Sequence, residues 1–193
     1  MLLLAVLALA LAAPSLAYSL GGFIHSPGAT SHGFWGKIES CPVGSYARAF
    51  ELKVEKPHSG VGDDTSVNAI RLYCYNAARK NTGNITSSTM NRGSWTGVYS
   101  CDEGDFLNGY NLKSQPDQVP FTDDTAANAL RMYCSQSSDY LESPGNEWGS
   151  WLEPSFCGSG MGVCGLTTRV QEDQGIFGDD TALNDVRFQC CDL

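Results

Sequence analysis

Short stretches of strict apolar–polar alternation run through this chain. Across residues 68–74, Ile70, Leu72 and Cys74 alternate with Ala69, Arg71 and Tyr73. The same alternation puts Leu130, Met132 and Cys134 on one side of a second segment, and Val186, Phe188 and Cys190 on one side of a third. Phe50, Leu52 and Val54 alternate with Glu51, Lys53 and Glu55. A period of two predicts strands with one buried face. Residues 35–41 predict a further strand in the same unit, and residues 57–62, rich in Gly and Pro, predict a turn-rich link. No capped amphipathic stretch is longer than about ten residues, so the pattern predicts little helix.

The alternating segments belong to a phrase that occurs three times. Its fixed positions are Asp63, Asp64, Thr65, Asn68, Arg71 and Cys74; then Asp123, Asp124, Thr125, Asn128, Arg131 and Cys134; then Asp179, Asp180, Thr181, Asn184, Arg187 and Cys190. Each phrase closes a longer repeat that opens on a Gly and a Trp: Gly33 and Trp35, Gly93 and Trp95, Gly149 and Trp151. A Cys follows each Trp by six residues (Cys41, Cys101, Cys157), and the closing Cys follows that one by 33. Length changes fall only between repeats, in residues 75–92 and 135–148. Loops between structural units vary in this way.

Internal repetition of this length is architectural. It predicts an all-β fold, one domain over residues 18–193 made of three repeats at about 33–76, 93–136 and 149–193. Three multistranded units suggest three sheets around a pseudo-threefold axis, each giving a third of one core. A β-prism and a trefoil barrel both satisfy this, and the length of the repeat favours the prism. A three-bladed propeller falls below the usual blade number. Residues 18–33, rich in Gly, Ser and Pro, predict an extended arm lying over the first repeat.

Residues 1–17 read as a secretory signal peptide, with an apolar run from Leu2 to Ala13 and Ser15-Leu16-Ala17 as a cleavage site. No second long apolar run follows, which predicts a soluble, released chain with no membrane span. The formal net charge of −9 argues against nucleic-acid partners and anionic membranes and suits cationic partners. Such charge also simply keeps a secreted protein in solution.

Eight cysteines after an export signal predict disulfides rather than a metal site or a catalytic thiol. Symmetry leaves two arrangements for the repeated six. They join neighbours in a ring, as Cys74–Cys101, Cys134–Cys157 and Cys190–Cys41, or they pair within repeats, as Cys41–Cys74, Cys101–Cys134 and Cys157–Cys190. The invariant spacing of 33 favours the second arrangement, with Cys164–Cys191 left over.

Three acidic pairs suggest general acid–base work on glycosides. Asp before Thr at a strand entry also makes local turns that satisfy backbone N–H groups. Arg71, Arg131 and Arg187 then suit pairing with an Asp of the same or the next unit. Because the feature occurs in all three repeats, structure is the favoured role. Trp35, Trp95 and Trp151 read as core, with stacking on sugar rings as the functional alternative; Trp148 has no counterpart and reads as a surface contact. Glu103, Asp105, Asp117, Asp139, Glu142, Glu147, Glu153, Glu172 and Asp173 lie outside the repeated phrase. His25, His32 and His58 form no metal-spaced cluster, so neither a metal nor a cofactor is expected. Gly60 and Asp64 match a short sugar-binding pattern of prism-fold plant lectins, but the second repeat lacks the Gly. Asn84-Ile85-Thr86 is a glycosylation sequon in the first inter-repeat segment.

The three Trp-x5-Cys openings and the three Asp-Asp-Thr-x2-Asn-x2-Arg-x2-Cys closings resemble the vitelline membrane outer layer protein 1 family over about residues 22–193. The resemblance implies a type I β-prism of three Greek-key sheets, four disulfides and secretion. It implies a non-enzymatic role in an egg coat or mucosal secretion, associated with mucin-type glycoproteins and lysozyme. It also brings in a weak transferase activity on N-acetylglucosamine oligomers, attached to the family's avian form, with no catalytic residues to carry over. A glycan-binding lectin is the remaining alternative.

Overall fold

A computed structural model describes residues 20–57, 65–116, 126–172 and 181–193. All of its regular structure is strand. In chain order the strands are β1 (Leu20–His25), β2 (Phe34–Trp35), β3 (Glu39–Ser40), β4 (Ser45–Val54), β5 (Val67–Asn76), β6 (Asn81–Ile85), β7 (Ser94–Trp95), β8 (Tyr99–Ser100), β9 (Leu107–Ser114), β10 (Ala127–Cys134), β11 (Tyr140–Ser143), β12 (Ser150–Trp151), β13 (Ser155–Phe156), β14 (Met161–Val170) and β15 (Leu183–Asp192).

They form three five-stranded sheets. The first runs β6-β5-β4-β7 with β8 also on β4; the second runs β11-β10-β9-β12 with β13 also on β9; the third runs β1-β15-β14-β2 with β3 also on β14. In the first two sheets three consecutive strands are followed by a fourth that returns beside the first, which is the Greek-key order, and in the third sheet β1 stands in the place of the third strand. The fold is a β-prism.

The sheets do not coincide with the sequence repeats. The opening segment of each repeat, read from sequence as a strand of its own unit, joins the preceding sheet instead. Trp95 lies opposite Lys53 of the first sheet, Trp151 opposite Lys113 of the second, and Trp35 opposite Arg169 of the third. Each β-hairpin leaves one long edge with unpaired N–H and C=O groups, and the next repeat's opening covers it. The ring closes because the first repeat's opening covers the last hairpin.

The lead-in also differs from expectation. Residues 20–25 do not lie over the first repeat; they are strand β1, antiparallel to β15. In the third sheet the place that β6 and β11 fill in the other two lies beside β15. The amino-terminal strand occupies it. Ile24 is buried there, and the Ser26 hydroxyl donates to Glu153 O at 3.0 Å.

The inner faces meet in one core. Matched positions carry Phe50, Tyr110 and Leu166, and beside them Leu72, Met132 and Phe188, all fully buried. Each facing pair sets one aromatic ring against one aliphatic or thioether side chain. Tyr110 and Phe188 pack edge to face with centroids 4.7 Å apart, and Tyr110 donates its hydroxyl to Val186 O at 2.8 Å. Burial pushes that phenol far above its ordinary range.

Four disulfides hold the shell. Cys41–Cys74, Cys101–Cys134 and Cys157–Cys190 have Cα separations of 5.6, 5.8 and 5.7 Å. Because the opening segments have crossed over, each of these joins two sheets: Cys41 N–H donates to Cys164 O of the third sheet, whereas Cys74 lies in β5 of the first. The three together staple every seam of the prism. Cys164–Cys191 instead ties two neighbouring strands of one sheet.

Candidate functional site

The repeated phrase is built into this frame residue by residue. Asn68, Asn128 and Asn184 sit at bulges, where the pairing register slips by one, and all three are fully buried. Asn68 Nδ2 donates to Thr65 Oγ1 at 2.7 Å and Asn184 Nδ2 to Thr181 Oγ1 at 2.7 Å. Those hydroxyls in turn donate to Glu55 at 2.6 Å and to Gln171 at 2.5 Å. Thr and Asn therefore lock the strand entry to the end of the preceding strand. Asp63, Asp64, Asp123, Asp124, Asp179 and Asp180 lie outside the described residues, as do Thr125, His58, Gly60, Asp117, Asp173 and the leader.

The Trp residues are not in the core. Trp35, Trp95 and Trp151 are half-buried on the outer faces, where strand alternation places them. Arg71 stacks on Trp95 at 3.7 Å, Arg131 on Trp151 at 3.8 Å and Arg187 on Trp35 at 4.3 Å. Each Arg thus meets the opening Trp of the next repeat, and cation–π contact holds the returning strand down. The described carboxylate partners are Glu residues. Arg71 reaches Glu51 at 2.8 Å, and Arg131 reaches Glu142 at 2.7 Å. Glu51 also accepts from Tyr73 at 2.5 Å; burial, aided by Glu51, pushes that phenol up.

The other acidic residues are scattered. Asp105 is buried and accepts from Ser135, Phe106 N–H and Gln136 N–H. It lies near Cys101 and Cys134, but those two are joined in a disulfide and offer no thiolate to a metal. Glu103 is exposed beside Arg79, and Glu147 and Glu153 are exposed and offer their backbone carbonyls to Lys113 and Ser26. Asp139 is exposed, Glu172 borders the end of the third sheet, and His25 and His32 are exposed. Trp148 is 38% exposed in the link before the third repeat. Asn84 is exposed on the edge strand β6.

One end of the prism carries a cleft of about 770 Å³. Glu55, Lys56, Pro57, Trp95, Pro144 and Asn146 line it. Glu55 is held by Thr65 and lies 4.0 Å from Arg92, and Asn146 Nδ2 reaches Glu55 O at 3.4 Å. The cleft thus combines an indole, two prolines, an amide and one charge of each sign. The sequence marks Glu55 only as a polar position of an alternating strand and does not mark Asn146. A signal existed: residues 55, 115 and 171 form a Glu, Gln, Gln column ten residues before each Thr.

A second unexpected group is Asp185, half-buried on the outer face of the third sheet opposite Arg169. Burial pushes its carboxyl up to about 6, against the opposing pull of Val186 N–H, Arg187, His25 and Arg169. The folded protein disfavours the ionised form, so the penalty is present above about pH 6 and disappears as pH falls towards 4. Asp185→Asn is expected to raise stability at pH 7.5 by about 1 kcal/mol, discounted for solvent screening, or about 2–4 °C in Tm. Melting curves of the two proteins should converge at pH 4. A gap independent of pH would sink this assignment.

Comparison with known proteins places the chain. The family model described as vitelline membrane outer layer protein I (VOMI) matches residues 22–193. The chain belongs to this family. The vitelline membrane outer layer protein 1 homolog of Mus musculus is 41% identical over 160 residues, covering 82% of this chain and 78% of that protein. The Homo sapiens homolog is 41% identical over 169 residues, covering 84% and 80%. Among solved structures, Calystegia sepium agglutinin matches with a TM-score of 0.55 and 12% identity, over 91% of this chain and 97% of that one. Artocarpin, solved as a mannotriose complex, matches with a TM-score of 0.52 and 11% identity, over 90% and 97%. These likenesses establish the prism fold. VOMI membership and four disulfides together point to an extracellular protein.

Proposed function

We propose that this protein is a secreted, non-catalytic component of an extracellular coat or mucosal layer that holds glycoproteins by their glycans. Residues 1–17 act as the export signal, residues 18–193 form the single mature domain, and Asn84 carries a glycan of its own. The observation that carries the proposal is the cleft of about 770 Å³ beside Trp95. Aromatic and proline surfaces pack on the apolar faces of sugar rings, and an amide flanked by Glu and Lys offers donors and acceptors for hydroxyls. The volume lies within the range of roughly 300–1,000 Å³ typical of small-ligand sites. Membership of VOMI supports the coat setting, and a prism neighbour solved with mannotriose supports the ligand class. The net charge of −9 suits mucin-type assemblies that also hold cationic proteins such as lysozyme.

A glycan array with the mature protein tests this. Retention of a defined set of neutral glycans is expected, and Trp95→Ala should lower their affinity at least tenfold while a melting curve shows the fold intact. Undiminished binding by a folded Trp95→Ala protein would move the site elsewhere. Time-dependent lengthening of chitotriose, absent from a boiled control, would replace the binding role with glycosyl transfer. Co-precipitation of lysozyme that weakens with added salt is expected alongside.

A further inference from the structure

At the other end of the first sheet lies a smaller pocket, of about 200 Å³, with Arg48, Tyr75, Asn76, Arg79 and Phe106 in its walls. It is separate from the Trp95 cleft and shares no residue with it. Two arginines converge there in a chain with only twelve lysines and arginines and a net charge of −9.

Each arginine is placed by an irregularity of the backbone. Arg48 is the bulged residue of β4, where pairing passes from Ala47 opposite Cys74 to Ala49 opposite Tyr73. Bulges re-aim a side chain out of the regular alternation. Ala47 belongs to the core and Ala49 lies opposite Tyr73 on the outer side, and between them Arg48 lays its guanidinium 3.8 Å over the ring of Tyr75. Its Nε is buried and has no hydrogen-bond partner. No ion pair joins it to a carboxylate among the described residues. At the matched bulges the other repeats carry Asn108 and Cys164, so the cation belongs to the first repeat alone.

Arg79 sits in the turn between β5 and β6 with a φ of 61°. Its N–H donates to Asn76 O at 2.8 Å, and Lys80 N–H donates to Asn76 Oδ1 at 3.0 Å, so the turn fixes it. Glycine or asparagine is the ordinary occupant of such a position. Ser66, Ser87 and Ala182 also have positive φ, but Ser66 and Ala182 hold matched places in two repeats and belong to the frame, and Ser87 turns its hydroxyl onto Lys37 O in the opening segment of the first repeat. Backbone strain that serves only one pocket points to function there. One Arg79 nitrogen contacts Glu103 at 3.2 Å, with both side chains exposed. The fork keeps further donors for a ligand.

We propose that this pocket binds a compact oxyanion, a carboxylate or a sulfate ester, carried on an acidic sugar. Guanidinium forks match the paired oxygens of both groups. Tyr75 and Phe106 supply walls for the ring that bears the charge. The volume is below the usual range for drug-sized ligands, which suits one terminal sugar rather than an oligosaccharide.

Calorimetric titration of the mature protein with 3′-sialyllactose, sulfated lactose and plain lactose tests this. At least one acidic sugar should bind at least tenfold more tightly than lactose, and which one does so identifies the group. Added salt should weaken that binding. Arg48→Gln should lower affinity at least tenfold. Arg79→Gly should do the same while raising Tm by about 2 °C, because glycine relieves the positive φ. A purely structural role for Arg79 would not give lower affinity together with higher stability. Equal binding of lactose and both acidic sugars, or wild-type affinity in the Arg79→Gly protein, would overturn the proposal.

Discussion

Removing the seam disulfide Cys157–Cys190, by replacing both cysteines with Ala, is expected to cost roughly 3–4 kcal/mol of stability. The bond closes a loop spanning 33 residues, and the gain is mostly the entropy denied to the unfolded chain. At about 2–4 °C per kcal/mol for a chain of this size, Tm should fall by roughly 10 °C. Removing Cys164–Cys191 should cost nearly as much, because its span of 27 residues is similar. The two losses should differ in where the protein opens. Cys157 belongs to the edge of the second sheet and Cys190 to the third, so the first variant frees a seam. Cys164 and Cys191 lie on hydrogen-bonded neighbours, and their loss leaves every seam stapled. Hydrogen exchange at β13 and β15 should therefore accelerate in the first variant much more than in the second. Equal exchange in both would show that the ring of disulfides does not hold the sheets together.

The crossover that makes seams of these disulfides could not be read from the sequence even though the strands could. Alternation through Ile70 and Leu72, or Phe50 and Leu52, identifies a half-buried strand because the inner face must be apolar along its whole length. The opening strands offer no such evidence. Phe34–Trp35 and its counterparts are two residues long, too short for a period, and a repeated spacing is the same whichever hairpin they join. The Trp residues misled for the same reason. A large aromatic residue at a repeated position suggests a core, but register with Lys53, Lys113 and Arg169 puts it on the outer face under an Arg. The lead-in was opaque because Gly21 and Gly22 hide a strand whose side chains carry little pattern. Prism architecture followed from the triplication itself. The candidate sites were less legible. Arg48 and Arg79 owe their positions to a bulge and a left-handed turn residue, and neither leaves a mark in residue type. The Trp95 cleft depends on the crossover, which brings residues 54–57, 93–96 and 144–146 together from three parts of the chain.

Gly93→Ala tests that crossover, with an expected loss of roughly 3–5 kcal/mol. Gly93 has a φ of 78°, and a Cβ there would stand 2.5 Å from Val54 C and 2.6 Å from Glu55 N. Those are backbone atoms at the end of β4, so no rotamer change relieves the overlap. Gly44 provides the control. Its φ is 74°, yet nothing lies within 4 Å of its would-be Cβ. Gly44→Ala therefore carries only the conformational cost, about 1 kcal/mol. The difference between the two denaturation midpoints isolates the close approach. The consequences should reach beyond stability. Pushing residue 93 away from Val54 lifts Trp95 from its place opposite Lys53, breaks the Arg71 stack and distorts the cleft. The near-ultraviolet dichroism of the indoles should change in the Gly93→Ala protein and stay unchanged in the Gly44→Ala protein. Similar losses in the two variants would mean that the opening strand is free to move away from β4, and the packing described for this seam would be wrong.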